Sequence, residues 1–239
     1  MKIKDILFFI GRHGETAGNK KNIYRGWSNS SDAQLNEEGR DDSRKMGEFL
    51  ESYGIKLILA DSLDRVQETA EEVAAALGGD VEIEYLRELH PWDVGDFTLQ
   101  PQEDNPVNEY LENRGKAIPG GETLAKFDKR QAEIFKKIVL VAQKMSGKVL
   151  VLAHGSNISF LHNHVFGTDE PRVTYEGLVD PGGIIAVSPD GMTPLLKSRA
   201  GAGNRNGKRY DAKTAGYMEL AGAEKDGDCK IVQVAGGVS

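Results

Sequence analysis

Two histidines and two arginines stand just after short apolar segments of this chain, in positions suited to binding and attacking a small anion. Arg12 and His13 follow the first apolar segment. His154 follows a later one, and Arg65 lies in the first turn of a predicted helix, where an adjacent anion would explain a cation that opposes the helix dipole. A guanidinium group matches phosphate oxygens, and a neutral imidazole can attack phosphorus. Each histidine alone also fits a packed or capping role, but the four together predict a phosphate pocket.

These side chains are positioned by elements whose pattern is that of an α/β fold. Four strands are predicted from apolar runs, at 6–10, 57–60, 81–85 and 149–153. Three helices are predicted from apolar residues at three- and four-residue steps, at 36–53, 62–77 and 122–145. Strands separated by helices of this length indicate a parallel sheet with right-handed crossovers. Because ligands bind at the carboxyl ends of such strands, the candidate residues are expected to meet there.

Two regions interrupt this alternation. Residues 90–121 contain four prolines, and long excursions of this kind are usually binding segments or lids. Residues 184–187, followed by a turn ending in Gly191, predict a β-hairpin. From about residue 197 the chain becomes rich in Gly, Lys and Asp, with a further candidate hairpin between 217–220 and 231–234.

Length and composition exclude several classes of protein. The chain has 239 residues and a net charge of -7, which argues against a broadly basic protein that coats nucleic acid. Its single cysteine, Cys229, cannot form an internal disulfide or a multi-thiolate metal site, and the pair His162 and His164 lacks a third ligand, so no metal is expected. No apolar stretch approaches a membrane span or the core of a signal peptide, which favours a cytoplasmic protein.

Four motifs follow one another in a specific order. They are Arg12-His13-Gly14-Glu15-Thr16 with Tyr24-Arg25-Gly26-Trp27, then Ser62-Leu63-Asp64-Arg65, Pro119-Gly120-Gly121-Glu122-Thr123, and Ala153-His154-Gly155. This set resembles the motifs of the histidine phosphatase superfamily, the phosphoglycerate mutase-like enzymes, over roughly residues 5–190. The resemblance implies a three-layer α/β fold with a mainly parallel central sheet flanked by helices. It suggests a histidine phosphatase domain at 1–196 and an extension of unassigned role at 197–239, for which a β-hairpin added to that domain is the candidate structure.

The resemblance also implies a mechanism. His13 would attack phosphorus and become a phosphohistidine, which water then hydrolyses. Three further side chains would bind the phosphate oxygens: Arg12, Arg65 and His154. Asn19, Arg25 and Gly26 match family positions that contact phosphate or the rest of the substrate, and Gly155 in the second histidine motif is a further candidate. The substrate would be a small phosphorylated molecule, and the chemistry would need no metal or cofactor.

The proton donor is harder to place. In the family it is a carboxyl that follows the third strand as Leu-x-Glu, with a glycine four residues later. Leu86-Arg87-Glu88 fits the first part, but position 92 is Trp and the glycine comes at Gly95. Glu88 is therefore the predicted donor, with Asp93 as the competing candidate and a solvated strand-end carboxylate as the alternative interpretation of Glu88.

Three functions remain open. Mutases of the family carry Glu-Arg-x-Tyr-Gly, whereas Glu88 is followed here by Leu89-His90-Pro91, which favours a phosphatase. A 2,3-bisphosphoglycerate-dependent phosphoglycerate mutase is the second hypothesis. The third is a protein that binds a phosphorylated ligand with little turnover, motivated by the irregular spacing around the proton donor.

Overall fold

The apolar segments form the strands of one central sheet. The structure, a computed structural model, describes residues 3–103, 106–166, 179–189, 191–196 and 210–211. Within these residues the strands are β1 (Phe8–Arg12), β2 (Ile55–Ala60), β3 (Glu82–Tyr85), β4 (Lys148–Ala153), β5 (Ile184–Ser188), β6 (Gly191–Leu196) and the short β7 (Tyr210–Asp211). They lie side by side in the order β3-β2-β4-β1-β5-β6-β7.

Strands β1 to β4 run parallel to one another. Beyond β1, each of the strands β5, β6 and β7 runs antiparallel to the strand before it in the sheet. The predicted α/β fold with a mainly parallel sheet is confirmed. The predicted hairpin is also present, as β5 and β6. The candidate hairpin between 217 and 234 lies outside the described residues.

Helices cover both faces of this sheet. They are α1 (Ala17–Lys20), α2 (Glu37–Leu50), α3 (Asp64–Leu77), α4 (Asn108–Glu112), α5 (Leu124–Lys144) and α6 (Gly155–Phe166). The side chain of Asn36 caps α2 through the main-chain nitrogen of Gly39, and Thr123 caps α5 in the same way. No helix in the described part of the chain is both long enough and apolar enough to cross a membrane.

Alternating strand residues divide the core into two layers. Phe8 and Ile10 pack in the layer that contains residues of α5 and α6, whereas Phe9 packs in the layer formed with α2 and α3. Successive strand residues point to opposite faces, so a strand buried on both sides must be apolar throughout. This requirement explains the continuous apolar runs in the sequence and gives the fold its three layers.

The proline-containing excursion packs on the molecule rather than extending from it. Trp92 and Ile118 are buried in the core layer shared with α5 and α6. The main-chain nitrogen of Tyr24 donates to the carbonyl of Gln100 at 2.9 Å, and Ile23 forms a β-bridge with Pro101. The excursion is thereby joined to the segment that carries Arg25.

Candidate functional site

Three neighbouring strands end at one point on the edge of the sheet. The ladder continues one residue beyond them: the main-chain nitrogen of His13 donates to the carbonyl of Ala153, and that of Asp61 to Leu152, each at 3.1 Å. Because β4 lies between β1 and β2, His154 is placed between His13 and Asp61. Parallel strands therefore bring residues separated by up to 141 positions into one cluster.

His13 is held in one tautomer. Its side chain is buried, and its Nδ1 lies 2.7 Å from the carbonyl oxygen of Gly14. A carbonyl can only accept, so Nδ1 carries the proton and Nε2 carries the lone pair. Burial lowers the pKa of His13 well below its usual value, and the charge of Arg65 lowers it further. The ring is therefore neutral at pH 7, with Nε2 available as a nucleophile.

The Arg12 and Arg25 guanidinium groups lie close to this ring, since the charges of both act on the pKa of His13. Arg12 Nη1 donates to the carbonyl of Val179 at 3.1 Å, and Arg25 Nη1 donates to Ile23 at 3.2 Å. Burial lowers the pKa of Arg12 to about 10, although the charge of Asp180 opposes this, so Arg12 remains a cation at pH 7.

Arg65 is anchored to the loop that carries Arg25. Its Nη2 donates to the carbonyl of Gly26 at 2.8 Å, and its Nη1 donates to that of Ser28 at 3.1 Å. Gly26 has φ +48°, and a Cβ there would lie 2.6 Å from Thr98 Oγ1, so this position requires glycine. Gly26 thus acts through its main chain, which fixes the Arg65 guanidinium.

The three arginines of this cluster each have an Nε atom that no described residue binds. The Nε atoms of Arg12, Arg25 and Arg65 are buried, and none of them has a hydrogen-bond partner among the described residues. A buried donor without an acceptor is costly, and three such cationic donors in one cluster indicate a site for an anion. A phosphate group, with several acceptor oxygens, fits this arrangement.

Asp61 pairs with two histidines. Its Oδ2 lies 2.5 Å from Nε2 of His154, and its Oδ1 accepts a short hydrogen bond from Nδ1 of His90. Burial opposes the charged form of this carboxyl, but the hydrogen bonds from both rings lower the pKa of Asp61 below its ordinary range. Burial, together with the charge of Arg65, lowers the pKa of His154 to about 3. At pH 7 the site contains an Asp61 carboxylate and a neutral His154.

The two predicted proton donors, Glu88 and Asp93, lie in different surroundings. Glu88 is exposed in a 3-10 turn, and within the described ranges its side chain makes no recorded hydrogen bond. Its charge acts on Glu84 of the edge strand β3, three strands from β1. Asp93 is engaged in a turn, where its Oδ1 accepts from the main-chain nitrogen of Gly95 at 3.0 Å. The structure brings neither carboxyl into recorded contact with His13.

The remaining predicted site residues, Asn19 and Gly155, flank the cluster. Asn19 Oδ1 accepts from both the main chain and the hydroxyl of Thr16, in a capping box at α1. Its amide nitrogen has no recorded partner in the described part of the chain and is the group that a ligand could use. Gly155 begins α6, and a Cβ there would lie 3.6 Å from Cζ of Arg12. No group of three or more His, Cys, Asp or Glu side chains within the described residues is placed to hold a metal ion.

Three residues of the cluster were not predicted as site residues. Asp61 directly follows a buried strand, as His154 does, and that position is the signal that could have identified it. His90 lies 29 positions from its partner Asp61, and no local pattern connects them. Thr69 lies on α3, one turn after Arg65, and its hydroxyl accepts a hydrogen bond from the main-chain nitrogen of Gly14; no sequence pattern predicts this contact.

Sequence comparison identifies relatives among bacterial proteins. A 2,3-bisphosphoglycerate-dependent phosphoglycerate mutase of Parvibaculum lavamentivorans is 31% identical over 165 residues, covering 65% of this chain and 77% of the relative. One from Methylobacterium radiotolerans is 30% identical, covering 70% of this chain and 82% of the relative. Both relatives carry the name of a mutase.

Two solved structures with the same fold carry the names of phosphatases, and another, from Thermus thermophilus, carries that of a phosphoglycerate mutase. The alpha-ribazole phosphatase from Shigella flexneri superposes with a TM-score of 0.61 at 20% identity, covering 83% of this chain and 99% of that one. Mycobacterial glucosyl-3-phosphoglycerate phosphatase superposes with a TM-score of 0.62 at 21% identity, covering 80% and 98%. At such identities the likeness shows the fold alone. The family profile described as histidine phosphatase superfamily (branch 1) matches residues 8–200, and the chain belongs to that superfamily.

Proposed function

We propose that this protein is a phosphomonoester hydrolase that forms a phosphohistidine on His13. The observation that carries the proposal is the contact between Nδ1 of His13 and the carbonyl oxygen of Gly14, at 2.7 Å. It directs the Nε2 lone pair away from the main chain, and the lowered pKa of His13 leaves that lone pair unprotonated at pH 7. A neutral, oriented imidazole beside several cations has the properties of a nucleophile for phosphoryl transfer.

The arginines supply the binding energy for the phosphate. Arg12 and Arg65 use Nη atoms to bind main-chain carbonyls and keep Nε for the ligand. They would bind oxygens on which charge develops in the transition state, and fixed donors of this kind lower the barrier electrostatically. His154, the third predicted ligand, already donates its Nε2 proton to Asp61 and would need a second proton, on Nδ1, to bind the third oxygen. The guanidinium groups provide the positive charge, so we expect turnover to need no metal.

The reaction has two steps. His13 Nε2 first bonds to phosphorus as the ester oxygen leaves, and water then attacks phosphorus and releases inorganic phosphate. Asn19, Arg25, Gly26 and Gly155 are proposed to contact the phosphate or the rest of the substrate. A charged residue such as Arg25 would favour a substrate with a second anionic group. For the proton donor, Glu88 remains the sequence-based prediction.

Hydrolysis of p-nitrophenyl phosphate in EDTA tests this function. His13→Asn keeps an amide near the position of Nδ1, so the bond to Gly14 is retained while Nε2 is lost. We expect this variant to lose activity and to form no acid-labile phosphoenzyme. His162→Asn on α6 is the matched control and should retain both. Activity in the His13 variant equal to wild type would contradict the proposal.

A phosphoglycerate mutase is the second candidate, because two relatives at 30–31% identity carry that name. A mutase would interconvert 2- and 3-phosphoglycerate and depend on 2,3-bisphosphoglycerate, whereas a phosphatase would release inorganic phosphate from either compound. A protein that binds vanadate but neither hydrolyses phosphate esters nor isomerises phosphoglycerate would instead be a binding protein. Assays of all three on one preparation separate these functions.

A further inference from the structure

A buried carboxylate shared by two histidines is the feature of the site that the proposed reaction leaves unused. Asp61 is fully buried at the end of β2, and each of its oxygens pairs with a different ring, His154 on one side and His90 on the other. The main-chain nitrogen of Ser62 also donates to Oδ1 at 2.7 Å, so the carboxylate has one fixed orientation.

Each ring presents a different nitrogen to the carboxylate. His154 pairs with it through Nε2, and the pKa of His154 is lowered to about 3, which leaves that ring neutral at pH 7. His90 pairs with it through Nδ1, so Nε2 of His90 lies on the far side of the ring from Asp61. A buried carboxylate that orients one histidine nitrogen directs the opposite nitrogen of the ring away from itself.

The ring of His90 contacts the Asp61 carboxylate on one side and Trp27 on another. Its ring packs edge-on against Trp27 with centroids 4.9 Å apart, and Trp27 is one of the exposed large apolar residues. Trp27 stands between Gly26 and Ser28, the two residues whose carbonyls hold Arg65. The Nε2 of His90 has no recorded hydrogen bond among the described residues. The ring thus lies beside the loop that anchors Arg65, a proposed ligand of the phosphate.

The main chain of His90 is fixed as well. Arg130 Nη1 from α5 donates to its carbonyl at 2.7 Å and to that of Glu88 at 2.8 Å. The same tether therefore holds the main chain of both residues, but only His90 directs its side chain to the cluster around Asp61. The Glu88 carboxylate is exposed and interacts with Glu84 of the edge strand.

We propose that His90, held by Asp61, is the acid and base of this site, in place of Glu88. This inference rests on the phosphohistidine mechanism proposed above. In the first step the Nε2 lone pair of His13 bonds to phosphorus, the bond from phosphorus to the ester oxygen breaks, and that oxygen takes the proton from His90 Nε2. His90 is left neutral, with its remaining proton on Nδ1 and still donated to the Asp61 carboxylate.

The second step reverses the role of His90. Its Nε2 takes a proton from water as the water oxygen bonds to phosphorus, and the phosphorus–nitrogen bond breaks with return of the electron pair to His13. The products are an alcohol and inorganic phosphate, and His90 is again an imidazolium. One ring thus serves both steps, as general acid–base catalysis requires.

The test compares leaving groups. His90→Asn keeps an amide nitrogen near the position of Nδ1, so it preserves the hydrogen bond to Asp61 and removes only Nε2. We expect its kcat/KM for an alkyl phosphate to fall about a hundredfold or more, because an alkoxide leaves poorly without a proton. For 2,4-dinitrophenyl phosphate, whose phenolate needs no proton, the loss should stay below about tenfold, with accumulation of the phosphoenzyme because its hydrolysis still lacks a base.

For Glu88→Gln, which tests the competing carboxyl, we expect any change in activity to be equal for the two substrates, and His162→Asn on α6 serves as the control. If Glu88→Gln instead shows the loss that depends on the leaving group, or if His90→Asn loses equal activity with both substrates, the inference is wrong. His90→Gln is a second variant, and vanadate binding with circular dichroism checks that each variant is folded. Absence of a phosphohistidine in the wild-type protein would overturn the proposed function itself, a result distinct from either outcome for His90.

Discussion

The hydroxyl of Thr69 accepts a hydrogen bond from the main-chain nitrogen of Gly14 at 3.0 Å and donates one to the carbonyl of Arg65 at 2.7 Å. One buried side chain of α3 therefore fixes the residue whose carbonyl sets the tautomer of His13. The same helix carries Arg65, so the relative position of nucleophile and phosphate-binding cation is set by α3 rather than by β1 alone.

Replacing Thr69 by valine should impair this arrangement without changing the volume of the side chain. Thr69→Val leaves the buried nitrogen of Gly14 without an acceptor, which costs about 1–3 kcal/mol in the free energy of unfolding. We also expect kcat to fall more than KM rises, because His13 is displaced while the arginines remain. Urea unfolding and steady-state kinetics measure the two effects. Thr69→Ser should restore both, and failure of serine to do so would contradict this role of the hydroxyl.

The buried histidines make stability depend on pH. His154 has a pKa of about 3 when folded and about 6.5 when unfolded, so the unfolded chain binds the extra proton between these values. The stabilisation is complete above pH 6.5 and decreases as the pH falls, by about 1.4 kcal/mol per pH unit for this group. His13 shifts in the same direction.

His154→Gln tests this dependence, since its amide keeps a donor near the position of Nε2 for Asp61. Urea unfolding between pH 7 and 5 measures how the free energy of unfolding changes with pH. Below pH 6.5 this change should be smaller in the variant than in the wild type, by about 1.4 kcal/mol per pH unit. Parallel stability curves for the two proteins would show that His154 does not bind the proton on unfolding.

The anchoring of Arg65 predicts that charge alone is insufficient at this position. Arg65→Lys keeps the cation but loses the bonds to Gly26 and Ser28 and the Nε donor. We expect the dissociation constant for vanadate to rise about tenfold or more, measured by competitive inhibition. A lysine variant that binds vanadate as tightly as wild type would mean that the guanidinium geometry has no role.

Arg25 should discriminate between substrates. Arg25→Gln is expected to raise KM for a phosphate ester that carries a second anionic group by about tenfold, and to change KM for phenyl phosphate less. The physical reason is that Arg12 and Arg65 also hold the first phosphate, so a second anionic group would depend more on Arg25. Equal effects on both substrates would assign Arg25 to the phosphate itself.

The tether from α5 predicts a large stability effect. Arg130 pairs with the buried carboxylate of Glu122 at 2.6 Å and holds the carbonyls of Glu88 and His90. Arg130→Met leaves that carboxylate buried without its partner, which should cost about 3 kcal/mol in the free energy of unfolding. The double variant with Glu122→Gln should recover part of the loss, measured by urea unfolding. Additive losses in the double variant would exclude the ion pair as the cause.

Much of the fold follows from the sequence alone. Continuous apolar runs identify β1, β2 and β4 because strands buried on both faces must be apolar throughout. The same runs place Arg12, His13 and His154 at one edge of the sheet, because parallel strands align their carboxyl ends. The motifs predict the histidine phosphatase superfamily, and the comparisons confirm this membership. Membership strengthens the expectation of a phosphate pocket.

The tertiary structure determines which hydrogen-bond partners each side chain of the site has. Asp61 meets His90 and His154 across 29 and 93 positions of the chain, and such contacts depend on how crossovers and loops pack rather than on any local pattern. The same holds for the arginine side chains: the Gly26 and Ser28 carbonyls fix Arg65, and the Val179 carbonyl fixes Arg12. Local residue patterns determine which groups reach the sheet edge, and long-range packing determines their hydrogen bonds and charges.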